Sequence, residues 1–134
     1  RRPASAETVA LGEHYVHMNG REVFKFATRV LVSSAQALLA MLGLTVADVD
    51  LYIPHQANIR IIQHAAAKLG IPEEKIVVNV DRYGNTSSGS IPLALADAAR
   101  DGRLRPGDLV LMTGMGAGLT WGSGVLEWTK ETER

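Results

Sequence analysis

The chain of 134 residues has no cysteine, which excludes a disulfide framework, a thiolate metal site and a thiol nucleophile within it. It has no excess of either charge: 14 basic and 14 acidic residues balance to zero, and the two signs are interspersed. A nucleic acid or an anionic membrane as main partner calls for a basic surplus, so neither is expected. A long uninterrupted apolar run is also missing. The most apolar stretch, residues 26–44, contains Arg29, Ser33, Ser34 and Gln36, the pattern of an amphipathic helix rather than a membrane span. No secretory signal is legible, because Ala4-Ser5-Ala6-Glu7-Thr8 stands where an apolar core would follow the opening arginines. With no initiator Met before Arg1-Arg2-Pro3, the expectation is a processed, excised or only partly represented chain.

What is present suits one α/β domain covering residues 1–134, with an ordered core over about residues 12–128, loose ends and a cytoplasmic location. Apolar residues make up 46% and charged residues 21%, ordinary values for a globular core. Val23, Ala27, Val30, Leu31, Ser34, Leu38 and Leu42 recur at helical spacing up to Gly43. Residues 49–54 read as a short buried strand closed by Pro54. Ile59, Ile62, Ala66 and Leu69 mark a second helix ending at Gly70. Ile76-Val77-Val78-Asn79-Val80 reads as a strand, and residues 81–88 as a loop of turn formers. A third helix, residues 90–101, is apolar on several sides and should be sandwiched between layers. Leu109-Val110-Leu111-Met112 and residues 120–128 complete a mixed sheet, five-stranded or similar, with helices on both faces.

Three segments can carry chemistry. His55 leaves a buried strand through Pro54 just before a helix, and ligands gather at strand ends of open α/β sheets. The positive end of that helix favours a neutral imidazole. A capping or otherwise satisfied structural histidine fits the same position, and spacing alone does not separate the two. His14 and His17, read in a strand, face opposite sides without a carboxylate and form no metal site; His64 lies on a polar helix side. No metal is expected. Residues 83–90, Tyr83-Gly84-Asn85-Thr86-Ser87-Ser88-Gly89-Ser90, can aim a short amide or hydroxyl into a pocket, or simply cap a helix through Ser88 or Ser90. A nucleophilic serine elbow fails, since no glycine stands two residues before Ser87 or Ser88. Gly114-Met115-Gly116-Ala117-Gly118 misses the third interval of a dinucleotide fingerprint and leads into a strand, not a helix. Such glycines more naturally bring backbone N–H groups close to a developing oxyanion.

In this order, Pro54-His55-Gln56-Ala57-Asn58, Gly84-Asn85-Thr86-Ser87 and the glycine turn before Leu119-Thr120-Trp121-Gly122-Ser123 resemble the C-terminal half of β-ketoacyl-acyl-carrier-protein synthase III. The similarity runs over residues 20–128. It implies half of a thiolase-like layered fold and an acyltransferase that condenses an acyl-CoA primer with malonyl-carrier protein to begin fatty acid synthesis. His55 and Asn85 match the pair that stabilises the enolate formed on decarboxylation, and Ala117 the oxyanion-hole backbone N–H, where the family usually has glycine. Gly20, Phe24, Ala27 and Asn58 match substrate contacts. Lys25 and residues 56–60 (Gln56, Ala57, Asn58, Ile59 and Arg60) match the acyl-carrier-protein contact, while Ala67 stands where some members carry lysine. The resemblance implies no cofactor: CoA and phosphopantetheine thioesters are substrates. It places the nucleophilic cysteine in an N-terminal half, without which the chain should be inactive and should pair as a homodimer. Relatives that make polyketides, quinolones or esters share the same His and Asn motifs, and a non-catalytic carrier-protein-binding module is a further alternative.

Overall fold

The computed structural model describes residues 2–130. The stretch before Gly12, where the sequence predicts loose chain, begins with a short helix, α1 (Ala6–Ala10). Its cause is a capping box: Ser5 accepts from the Thr8 N–H, and Thr8 accepts from the Ser5 N–H. Arg2 bridges Glu7 and Glu13 across it. His14 and His17 follow in turn and coil, not in a strand. His14 Nε2 lies 2.9 Å from the Thr8 hydroxyl, and His17 Nε2 donates to the Gly12 carbonyl at 3.1 Å. Both therefore act as local ties of this segment.

The Asn19 side chain caps α2 (Gly20–Met41). By length and composition this helix could cross a membrane, but Ala27, Leu31, Ala35 and Leu39 form a buried stripe along it. That stripe packs against the sheet and against α3 (Ile59–Leu69), which makes α2 a core helix. Helix α3 is capped by Asn58 and stopped by Gly70 at φ +75°, a conformation only glycine adopts without strain. Between α2 and α3 lies strand β1 (Leu51–Pro54), buried throughout.

Residues 76–80 do not form the expected strand. They make one parallel bridge, Tyr52↔Ile76, and the chain then turns into α4 (Val80–Tyr83). The Gln56 side chain explains the interruption: it takes the Val77 carbonyl and the Asn79 N–H, groups that a longer ladder would use. After α5 (Ser90–Arg100) come β2 (Leu109–Gly116) and β3 (Thr120–Glu127). Among the described residues the sheet has three strands, not five, in the order β1-β2-β3. It is mixed: β1 runs parallel to β2, with Leu51 opposite Val110, and β2 runs antiparallel to β3.

Alternation along the strands sends Tyr52 and Leu111 to one face, against Ala35 and Leu39 of α2 and Ala66 and Leu69 of α3. Leu51, Ile53 and Val110 point the other way, against Ala94 and Ala98 of α5. Helices thus cover both faces. The predicted sandwiching of α5 is only half present: Ala94 and Ala98 are buried, whereas Pro92, Leu93 and Ala96 are exposed.

Candidate active site

Strand β1 carries His55 to the edge of the core. Pro54 pairs with Thr113, and the His55 N–H donates to the Thr113 carbonyl at 2.7 Å. Below it, the buried hydroxyls of Tyr52 and Thr113 meet at 2.7 Å, and burial pushes the Tyr52 phenol up to about 12. His55 itself is half-buried. Burial holds its imidazole below the ordinary value, which favours the neutral ring. The direction agrees with the reading from sequence, but the cause is desolvation; α3 begins only at Ile59. The Nδ1 atom lies 2.5 Å from the Ser90 hydroxyl. Gly114 adjoins the histidine: a Cβ added there would come 4.0 Å from the His55 Cβ and 3.6 Å from Ile91, ordinary contact distances.

Asn85 sits in the exposed loop between α4 and α5, directly after Gly84 at φ +67°. Its side-chain oxygen accepts the Ser87 N–H at 2.9 Å. With the oxygen engaged in that local bond, the amide group is left with a donor, its NH2, to offer. The loop is anchored from below. Asn79 donates to Asp97 on α5 at 2.9 Å, and Arg82 and Arg100 pair with the same carboxylate at 2.8 and 3.0 Å. The Asn79 amide and then the two guanidinium charges hold the Asp97 carboxyl below the usual carboxylate range, against the effect of burial. The side chains of both arginines are themselves exposed, at 51% for Arg82 and 68% for Arg100.

An open groove of about 490 Å³ runs along the α5 side of the β2–β3 hairpin, between Ile91, Gly114, Gly116 and Trp121. Gly114, which lines the groove, adjoins His55, so the groove passes beside the histidine and extends toward the turn that holds Ala117. Neither His55 nor Asn85 lines the groove. No hydrogen bond joins His55 to Asn85 among the described residues; Ser90, at the head of α5, connects the histidine to the Asn85 loop.

The remaining sequence-derived positions separate clearly. Ala117 is exposed in the β2–β3 turn, where its carbonyl accepts from Thr120 at 3.3 Å. Gly20 is exposed at the start of α2, and Phe24 meets His64 edge to face at 6.0 Å. Asn58 is the α3 cap. Lys25 is exposed and pairs with Glu22 at 2.9 Å. Ala57 is half-buried, and Ile59 and Arg60 are exposed; Arg60 has no side-chain ion pair or hydrogen bond among the described residues. Two expectations need correction. Gln56 is 0% exposed and hydrogen-bonded to Pro54, Val77 and Asn79, so its side chain is an internal strut and not a docking contact. Ala27 is likewise 0% exposed, packed with Leu31, Ile61 and Ala65, and forms core rather than an open wall.

Sequence reasoning missed Ser90, treated there only as a cap. It is instead the first residue of α5, whose N-cap is Gly89 without a side-chain bond. The available signal was a serine at the head of the helix that follows the Asn85 loop.

The layered arrangement and the strand-end histidine define the class: an α/β mixed sheet of thiolase-like enzymes. Residues 39–128 match the family described as 3-oxoacyl-[acyl-carrier-protein (ACP)] synthase III C terminal, and the chain belongs to that family. It is 59% identical over 128 residues to β-ketoacyl-[acyl-carrier-protein] synthase III of Symbiobacterium thermophilum, covering 96% of this chain and 39% of the relative. The solved structure of the synthase III from Thermus thermophilus superposes with a TM-score of 0.82 at 56% identity, over 84% of this chain and 35% of that one. For the enzyme from Pseudomonas aeruginosa the TM-score is 0.85 at 41% identity, over 97% and 39%. The chain therefore spans about two-fifths of the length of these relatives.

Proposed function

We propose that this chain is the C-terminal catalytic part of a cytoplasmic β-ketoacyl-acyl-carrier-protein synthase III. The complete enzyme joins an acyl group, delivered by acyl-CoA to a cysteine, to malonyl-carrier protein. The malonyl C–C bond breaks and CO2 leaves, and the electron pair passes onto the thioester oxygen as an enolate. The enolate carbon then attacks the acyl thioester and expels the cysteine thiolate, leaving a β-ketoacyl-carrier protein. His55 and Asn85 donate hydrogen bonds to the enolate oxygen, and the backbone at Ala117 helps to hold the second oxyanion. Fixed neutral donors aimed at developing charge contribute on the order of 10²–10³-fold each. The cysteine belongs to the part of the protein not represented in this chain, which alone should not condense anything.

The observation that carries this reading is the paired preparation of two neutral donors: His55 kept uncharged by burial, and Asn85 with its oxygen already taken by Ser87. The exposed Pro92, Leu93 and Ala96 side of α5 fits a chain that continues its core into the rest of the enzyme. Exposed Arg60 and Lys25 offer positive charge to an acidic carrier protein. In the complete enzyme, His55→Ala and Asn85→Ala should each slow malonyl decarboxylation on the order of 10²-fold or more while the cysteine is still acylated at its normal rate. Equal loss of both steps contradicts the assignment.

A further inference from the structure

Ser90 makes two contacts in the structure. Its Oγ accepts the Gln56 backbone N–H at 3.2 Å and lies 2.5 Å from His55 Nδ1, and the residue is 1% exposed. A hydroxyl has one proton to give and two lone pairs to fill. One lone pair is taken by Gln56. No other acceptor for the hydroxyl proton is found among the described residues, so only His55 Nδ1 can receive it. Were the proton of the imidazole on Nδ1 instead, two N–H groups would point at Oγ and the buried hydroxyl proton would have no partner. Leaving a buried donor unsatisfied is costly enough to bias the two arrangements roughly ten-fold or more. The same count disfavours imidazolium, which would also present an N–H at Nδ1. Among the described residues no charged side chain bonds to the ring, and burial is the cause of its lowered value.

We infer that Ser90 is a positioning residue that donates to His55 Nδ1 and thereby fixes the histidine as its Nε2–H tautomer, with Nε2 as a donor toward substrate. The functional consequence rests on the enolate role proposed above; the tautomer does not. Both contacts of the hydroxyl also hold the end of β1 against the head of α5, so donor direction and ring placement come from one side chain.

The test is ¹⁵N-histidine labelling of the purified chain, with the two ring nitrogens of His55 identified by long-range correlation and assigned by loss in a His55→Gln variant. The native chain should show one tautomer, with the Nδ1–H form below roughly a tenth of the population. Ser90→Ala should raise that form to a readily counted share, and Ser90→Thr, which keeps the hydroxyl, should restore the native pattern. If Ser90→Ala does not fold, Ser90→Cys, whose thiol is a weak donor, should shift the ratio in the same direction. A native His55 protonated on Nδ1, or an unchanged single tautomer in folded Ser90→Ala or Ser90→Cys, overturns the inference. In the complete enzyme Ser90→Ala should slow decarboxylation roughly ten-fold with little change in KM, and Ser90→Thr should recover it. Because the tautomer is read without substrate, the native tautomer pattern together with normal decarboxylation by His55→Ala would remove the enolate role and leave this inference standing.

Discussion

Replacing Gln56 by methionine nearly conserves the volume of a fully buried side chain and deletes three hydrogen bonds, to the Pro54 and Val77 carbonyls and from the Asn79 N–H. Each such bond contributes about 1 kcal/mol net, and an orphaned buried N–H costs about 1–3 kcal/mol more. Asn79 is 1% exposed, so water cannot replace the lost acceptor. Added apolar burial offsets part of this, which leaves an expected destabilisation of about 3 kcal/mol. For a domain of this size that corresponds to a melting temperature roughly 10 °C lower. The measurement is urea and thermal unfolding followed by circular dichroism, paired with carrier-protein binding by the folded variant of the complete enzyme. Binding per folded molecule should be close to native. An unfolding midpoint equal to that of the native chain, together with weakened carrier binding, would refute the strut and return Gln56 to the docking surface.

Arg60→Glu in the complete enzyme should weaken carrier-protein binding about ten-fold at low ionic strength and flatten its salt dependence, with small acyl thioesters turned over normally; titration at two salt concentrations checks this. Tyr52 should ionise only near pH 12, as followed by ultraviolet absorbance. Since its folded value is raised, the stabilisation it contributes is complete below the unfolded value near pH 10 and is lost as pH rises from there through about 12. The isolated chain, with Leu93 38% exposed on α5 and Trp121 55% exposed on β3, should self-associate at tens of micromolar. A monomeric sedimentation profile without dye-binding apolar surface contradicts this.

Periodicity and punctuation made the helices legible. Gly43 and Gly70 marked the ends of α2 and α3, and Ala27, Val30 and Leu31 of α2 and Ile62, Ala66 and Leu69 of α3 are buried as read. Toward the end of α2 the buried residues are Ala35 and Leu39, whereas Leu42 is exposed, as is Ile59 at the start of α3. The buried strands at Leu51 and Leu109 showed as continuous apolar runs. Residues 76–80 read as a strand because local β-propensity is blind to a distant side chain, Gln56, that captures the backbone groups a ladder needs. Gln56 entered the carrier-protein contact through the family resemblance, which matches a segment and not the direction of each side chain; in the folded chain this one is fully buried. The His55 and Asn85 segments were visible as motifs. The bond from Ser90 to His55 was not, because it spans elements that meet only in the folded chain. At the N-terminus the capping box of Ser5 and Thr8 was present in the sequence, but Thr8 is a weaker partner than the usual Glu or Gln at that place.

The parallel pairing of β1 with β2 has a kinetic consequence. The β2–β3 hairpin closes through a short turn and can form on its own, whereas Leu51 must find Val110 across a loop that contains α3, α4 and α5. Long loops cost closure entropy before their contacts repay it, so β1 docks late in folding. His55 follows directly on that strand; its anchor Thr113 lies beyond the crossover, and its anchor Ser90 lies within it at the head of α5. The His55 N–H is held by the Thr113 carbonyl, so a protection signal from that amide marks the docking of β1 onto the hairpin.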